Sequence, residues 1–198
     1  MYAPDAFDEL VAGDVVDIAR RLLGDRVSTD FDGESTEVML TEVEAYAGER
    51  DPASHAFRGR TPRNGSMFGP PGTLYVYRSY GIHWCMNLVV AETGIPHAIL
   101  LRGGVPLTGR RVMEDRRGRT DHLVDGPGKL CRSLGVTGDH DGTSVIDGPV
   151  RLGPGRLPEG WQIAATPRVG ISVAKAHDWR FVASPPGQKL VLADISAR

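Results

Sequence analysis

Along this chain the hydrophobic positions change period several times, and each change falls at a turn residue. Val15, Ile18, Ala19, Leu22 and Leu23 recur at the spacing of one helix face. Asp14 stands ahead as a cap and Gly24 behind as a stop, so the pattern predicts a helix through about Leu23. Val27 to Phe31 then reads as a strand. Asp32-Gly33 is a hairpin turn pair, and Thr36 to Ala45 returns as the partner strand. That reading leaves Glu44 at a strand end, where a side chain can face a cleft. Thr73 to Ser79 and His83 to Ala91 are two more β-rich runs. Between them Tyr80-Gly81-Ile82 makes a tight tip carrying an exposed aromatic ring. His97 to Arg102 reads as a strand entering Pro106. Ile163 to Ile171, Trp179 to Val182 and Leu190 to Ala193 read as the closing strands.

Two stretches lack any period. Ala47 to Gly72 is rich in Gly, Pro, Arg and Asn and predicts a long loop with one short helical turn. Such a loop inside a compact domain is uncommon and is often functional. Met113 to His122 is polar and reads as a partly mobile loop. Asp125-Gly126-Pro127-Gly128 then leads into a short helix, Lys129 to Leu134, closed by Gly135. The chain has no internal repeat, no low-complexity tract and no domain boundary, so residues 1–198 read as one domain.

Composition narrows the class without naming a chemistry. The 198 residues suffice for one domain with a real core, and 40% hydrophobic with 24% charged residues is ordinary for a soluble protein. No apolar run is long enough to cross a membrane, and MYAPDAFDEL lacks the basic-then-apolar order of a signal peptide. The expected compartment is the cytoplasm, with association with the nucleoid in a bacterium. Cys85 and Cys131 stand far apart with no zinc-like spacing, which predicts two reduced, buried thiols. The formal net charge of −2 argues mildly against nucleic-acid binding. Charge placement weakens that objection. Acids crowd the first fifty residues, whereas Arg58, Arg60, Arg63, Arg78 and Arg102 follow, and a further arginine run spans Arg110 to Arg119. A local basic face can hold phosphates, with an affinity that salt weakens.

Within this frame, Glu44 to Asn87 gathers an acid, several tyrosines and two histidines around a Pro-Gly turn and a hairpin. An acid beside stacking aromatics, with arginines near, suits the removal of a base from a nucleic acid. Taken singly, each residue also has a structural reading. Glu44 could be a solvated acid at a strand end, and Tyr77 and Tyr80 could be core or turn tyrosines. His55 could be a satisfied histidine, Asn87 a buried amide bonding backbone, and Arg102 half of a surface ion pair.

The order of motifs resembles the alkyladenine (3-methyladenine) DNA glycosylases of the mammalian type. The matching stretches are Glu42-Val43-Glu44-Ala45-Tyr46, Ala53-Ser54-His55, Thr61-Pro62-Arg63-Asn64 with Met67-Phe68, and Pro71-Gly72-Thr73-Leu74-Tyr75-Val76-Tyr77. Tyr80-Gly81, Met86-Asn87, Leu100-Leu101-Arg102 and Gly126-Pro127-Gly128-Lys129-Leu130 follow, with Arg168 and Arg180-Phe181 closing the series. The resemblance spans most of the chain. It implies an α/β fold of the α+β kind: a single domain with a curved, mostly antiparallel sheet, surrounding helices and a protruding β-hairpin. The alternating strands permit this architecture but do not require it.

The resemblance also implies roles. Tyr80, flanked by Ile82, would fill the space a flipped nucleotide vacates, as wedges inserted from the minor groove do. Tyr46, His55 and Tyr77 would wall the base pocket, and stacking there is worth roughly 1–3 kcal/mol per base. A positively charged alkylated purine gains further from an electron-rich ring face. Asn87 would crowd the amino group of guanine. Glu44 would deprotonate the water attacking C1′ and stabilise the cationic sugar, with Arg102 holding the adjacent phosphate. Arg63, Gly128 and Lys129 are the further phosphate-binding candidates, the last two at a helix start. No lysine near Glu44 fits a Schiff-base nucleophile, so the expectation is hydrolysis to an abasic site without strand cleavage. Neither a metal nor an organic cofactor is expected. The expected partner of a monomeric protein is double-stranded DNA carrying damaged purines: 3-methyladenine, 7-methylguanine, and by extension hypoxanthine or ethenoadenine. The chain departs from the mammalian pattern in lacking a long basic N-terminal extension, in having His at position 83, and in its own Met113 to His122 segment. Two other readings remain: a non-catalytic module that binds alkylated DNA, and an N-glycoside hydrolase acting on free nucleosides or single strands.

Overall fold

Pro4 opens the first helix, where its missing N–H leaves no bond unmade. The computed structural model describes residues 1–188 and begins with α1 (Pro4–Val11), whose Phe7 and Leu10 are buried. Sequence periodicity had marked no element here, because two core residues in eight make too weak a stripe. Helix α2 (Val15–Arg21) forms where the pattern places it. The Asp14 carboxylate accepts a hydrogen bond from the Val16 N–H at 2.9 Å, and Val15, Ile18 and Ala19 are buried. Gly24 follows at φ +97°, a left-handed turn open to glycine.

Among the described residues eight strands build the sheet: β1 (Arg26–Phe31), β2 (Glu34–Ala47), β3 (Leu74–Ser79), β4 (His83–Val89), β5 (His97–Thr108), β6 (Val150–Gly153), β7 (Gln162–Thr166) and β8 (Arg180–Ser184). Their order is β3-β4-β5-β2-β1-β6, with β8 joining β2 and β7 joining β8. Every pairing is antiparallel. The curved antiparallel sheet implied by the resemblance is therefore present, with four helices around it among the described residues.

The centre of this architecture is β2. Its first half lies between β1 and β5, with Arg26 opposite Met39 as the last β1 pair. Its second half lies between β5 and β8, which takes Glu42, Val43 and Glu44. At the changeover the register with β5 slips between Leu40 and Val43. A bulge there bends the strand and re-aims its side chains. Gly104 permits the close approach, since a Cβ at that position would fall 2.1 Å from the Met39 carbonyl oxygen. One face of the bent sheet carries Leu40, Leu74, Met86, Leu88, Ile99 and Leu101 into the main core, where α1, α2 and the helix over Leu130 meet them. Burying each such side chain contributes on the order of 1.5–3 kcal/mol.

Several elements differ from expectation. The segment read as loop from Met113 to His122 is helical as far as Arg117: α3 (Arg110–Arg117) is bounded by Gly109 and Gly118 at φ +73° and +67°. Only Met113 is buried on it, and the ion pairs Arg110–Glu114 and Arg111–Asp115 at 2.9 and 3.2 Å run along its turns. With a single apolar anchor the helix carries no stripe for periodicity to find. α4 (Pro127–Leu134) starts two residues earlier than read, on its proline. β5 passes through Pro106 to Thr108 at a slip in register beside Val38. β7 ends at Thr166, before Pro167, so residues 167–171 are not strand. β6 had not been anticipated. The strand expected at Leu190 to Ala193 lies outside the described residues. The long segment after β2 holds two 3-10 turns, Gly48–Arg50 and Gly65–Phe68. Asn64 ties it by donating to the His55 and Gly59 carbonyls at 2.9 and 3.1 Å. Cys85 and Cys131 are buried free thiols, as read. Among the described residues no helix is long and apolar enough to cross a membrane.

Between β1 and the preceding turn, Asp25 is 3% exposed, takes the Tyr2 hydroxyl at 2.6 Å and the Gly155 N–H at 3.0 Å, and is pushed up to about 6 by burial. Its folded value lies above its unfolded one. The associated stability is thus complete below about pH 4 and lost as pH rises through about 6, a swing of about 3 kcal/mol. Asp25→Asn should remove that swing. The thermal midpoint of the variant should gain on wild type between pH 4.5 and pH 7.5; an equal gap at both pH values would contradict the assignment.

Candidate active site

Strand alternation on β2 sends Glu42, Glu44 and Tyr46 to the same side, opposite the core residue Val43. Beside them opens a cavity of about 620 Å³. Tyr46, His55, Tyr77, Asn87 and Arg102 all line it, so the structure brings together five residues read from five separate motifs. Arg63 and Tyr80 line it as well.

Glu44 does not face this cavity directly. It lies inside β2 rather than at the strand end, and it is 0% exposed. All three of its partners line the cavity. The Tyr46 hydroxyl donates to Oε2 at 2.8 Å, the Val169 backbone N–H donates to Oε1 at 2.7 Å, and the Arg102 guanidinium stands 3.3 Å from Oε1. The carboxylate thus sits one hydrogen bond behind the wall. Arg102 is held in turn by Glu42, whose Oε1 accepts its Nε at 2.7 Å and that of Arg180 at 2.8 Å. Burial alone would pull Arg102 down, but Glu44 and Glu42 hold it above its ordinary value. Burial and the Glu44 charge push the Tyr46 phenol up, so it stays protonated and keeps donating.

The aromatic residues divide into walls. His55 stands edge-on to Tyr77, with ring centroids 4.5 Å apart, and Tyr77 stacks on Tyr75 at 5.5 Å. These three rings form one group, and Tyr46 on β2 lines the same cavity. The Tyr75 hydroxyl meets His55 Nδ1 at 3.0 Å, which fixes the imidazole plane. Burial and the nearby Arg63 hold His55 below its usual value, so the ring facing the cavity is neutral near pH 7. Asn87 donates to the Tyr75 carbonyl at 3.2 Å, which anchors the amide on the cavity wall.

The hairpin between β3 and β4 projects beside the mouth. Tyr80 is 89% exposed and Ile82 68%. Tyr80 and Gly81 take φ of +48° and +69°, and the Ile82 N–H closes the turn on the Ser79 carbonyl at 2.9 Å. Asn or Gly suits such a turn, and a bulky residue at positive φ costs roughly 1–2 kcal/mol. The tyrosine is therefore kept there against local preference, and strain of that kind collects at functional positions. The stem is stiff: Arg78 lies over the Trp84 ring at 5.5 Å, and His83 packs so closely on Gly128 that a Cβ there would fall 2.8 Å away.

Gly128 and Lys129 do not line the cavity but open α4 beside this stem. Lys129 is paired with Asp125 at 3.1 Å, and Asp125 also meets His122 at 2.6 Å. Arg63 is exposed and donates to the Arg78 carbonyl at 3.1 Å. Among the described residues no cluster of three metal-binding side chains occurs. Sequence reasoning missed Val169 and Tyr75 as parts of the site. Val169 contributes only a backbone N–H, which leaves no trace in residue type. Tyr75 belongs to a recognised motif, but no role in the site was read for it.

The family model described as methylpurine-DNA glycosylase matches residues 9–185. A protein of Agrobacterium fabrum named "Putative 3-methyladenine DNA glycosylase" is 46% identical, covering 91% of this chain and 89% of its own. Proteins of the same name from Rhodopseudomonas palustris and Frankia casuarinae are 52% and 44% identical, covering 72% and 90% of this chain and 71% and 88% of their own.

Proposed function

Because the chain belongs to the methylpurine-DNA glycosylase family and is a hydrolytic DNA glycosylase of base excision repair, we propose that it swings a damaged purine from duplex DNA into the Tyr46 cavity and releases it with an activated water. The observation that carries this reading is the position of Glu44. Its three partners are themselves cavity wall, so a fixed anion lies directly behind the slot where a base would stack.

In this mechanism Tyr80 enters the duplex as the nucleotide leaves, offsetting part of the stacking lost, which is a few kcal/mol. The base slides between Tyr46 and the His55–Tyr77 wall, with Asn87 crowding the amino group of an undamaged guanine. The N-glycosidic bond breaks with its electron pair going to the base nitrogen, leaving positive charge on the sugar. Glu44 faces that charge and takes the proton of the water whose oxygen bonds to C1′. Since Glu44 is fully buried, the water needs an opening in its shell. Rotation of the Tyr46 hydroxyl would free Oε2 and provide one. Arg102 spans Glu42 and Glu44 and turns its remaining donors toward the sugar phosphate. Arg63 and the Gly128–Lys129 helix start hold phosphates further along, Lys129 by exchanging Asp125 for one. The reading takes residues 1–198 as one domain, acting as a cytoplasmic monomer without cofactor.

A panel of duplexes, each with one modified base, tests the reading. Release of 3-methyladenine and 7-methylguanine is expected, leaving an abasic site in an unbroken strand. The same bases in free nucleosides should stay bound to their sugars. Binding of all lesions with no release would favour a non-catalytic module, and efficient cleavage of free nucleosides would favour the nucleoside hydrolase.

A further inference from the structure

Behind Tyr46 lies a buried ion pair for which the proposed chemistry has no direct use. The Arg168 side chain is 0% exposed. Its Nη1 donates to the Ala45 carbonyl at 2.9 Å and to Asp51, and its Nη2 donates to the other Asp51 oxygen at 2.9 Å. The guanidinium carbon lies 4.6 Å from the Tyr46 ring centre and 5.1 Å from that of Trp179. Its Nε finds no hydrogen-bond partner among the described residues. Neither Arg168 nor Asp51 lines the cavity, so the cation approaches Tyr46 from within the protein.

The placement has an electrostatic consequence for whatever stacks on Tyr46. A ring face draws cations, but a second cation already held over the same ring opposes the next one. Little water separates the two, so the repulsion would be weakly screened. Asp51 removes it. Its carboxylate grips the guanidinium through both oxygens, also accepts from the Ala53 and Ala47 N–H groups at 3.1 and 3.4 Å, and is itself buried. The pair presents no net charge to the Tyr46 ring.

We propose that Asp51, by cancelling the Arg168 charge behind Tyr46, sets the preference of the base slot for positively charged purines over neutral ones. Arg168 is a positioning residue in this arrangement. It joins the end of β2, the start of the loop that carries His55, and its own neighbour Val169, whose N–H holds Glu44. A lysine could supply the charge but not the planar fork that makes these bonds together. The inference rests on the base slot proposed for Tyr46 and adds to it the origin of a charge preference.

The test compares one cationic base, 7-methylguanine, with one neutral base, hypoxanthine, each in the same duplex. Single-turnover release and duplex affinity are both measured. Asp51→Asn leaves the cation uncancelled and should move the 7-methylguanine to hypoxanthine ratio about tenfold toward the neutral base. Arg168→Met leaves the anion uncancelled and should move the ratio the opposite way. The double variant removes both charges and should bring the ratio back toward wild type, even with both rates lowered. Equal losses on the two bases in both single variants would reduce the pair to a structural brace and overturn the inference. A failure of the glycosylase reading looks different: wild type itself would release neither base, while affinity would still report the charge preference.

Discussion

Glu44→Gln is expected to lower single-turnover release of 3-methyladenine from methylated duplex by about 10²- to 10⁴-fold, the range typical of a lost general base. The substitution keeps the shape of the side chain. The amide oxygen still accepts the Val169 N–H, and the Tyr46 hydroxyl can turn to accept from the new NH₂ group. Arg102 loses one of two carboxylates but keeps Glu42 at 2.7 Å. Folding and affinity for damaged duplex should therefore stay close to wild type while release collapses. Glu42→Gln is the matched control on the same face of β2. It disturbs the two arginines that Glu42 bridges but leaves the Glu44 carboxylate in place. Its loss should be the smaller of the two. A reversed order, or near-normal release by Glu44→Gln, would move the base away from Glu44.

The contrast between these two acids also shows where the sequence was informative. Both stand on one strand at even spacing, and the resemblance implies a role for Glu44 alone. The five cavity residues lie on β2, β3, β4, β5 and the long loop, and each sits in a stretch whose residue types are unusual for mere core. Strand alternation gave individual strands and the β3–β4 hairpin because half-buried strands need a period of two, while the curved sheet came from the resemblance. Legibility failed where the structure depends on contacts rather than on pattern. α3 rests on one buried methionine between two left-handed glycines, so its surface-like composition masked a helix. The branch of β2 between two partners follows from a slip in register, which no local periodicity encodes. Full burial of Glu44 follows from residues 167–171 folding back over it, which needs the break at Pro167. Lys129 was read as a phosphate-binding candidate, and Asp125, one turn earlier, pairs with it.

Tyr80→Ala should spare the fold and cost activity only where there is a duplex to open. The side chain is 89% exposed and makes no core contact, so its loss should change stability by no more than about 0.5 kcal/mol. Alanine meets the same positive φ as tyrosine, and the turn bond from Ile82 to Ser79 needs no side chain. What disappears is an aromatic surface able to take the place of an extruded nucleotide. Stacking of that kind is worth roughly 1–3 kcal/mol, so release from a duplex should fall by about tenfold to a hundredfold. The same lesion in a single strand has no pair to break and no gap to fill, and its release should hardly change. Tyr80→Phe keeps the ring and should behave as wild type on both substrates. A loss shared equally by duplex and single strand would assign Tyr80 to general DNA affinity. A loss confined to the duplex ties the strained hairpin tip to base extrusion and separates it from the chemistry at Glu44, since the carboxylate, Arg102 and the aromatic walls are the same in both assays.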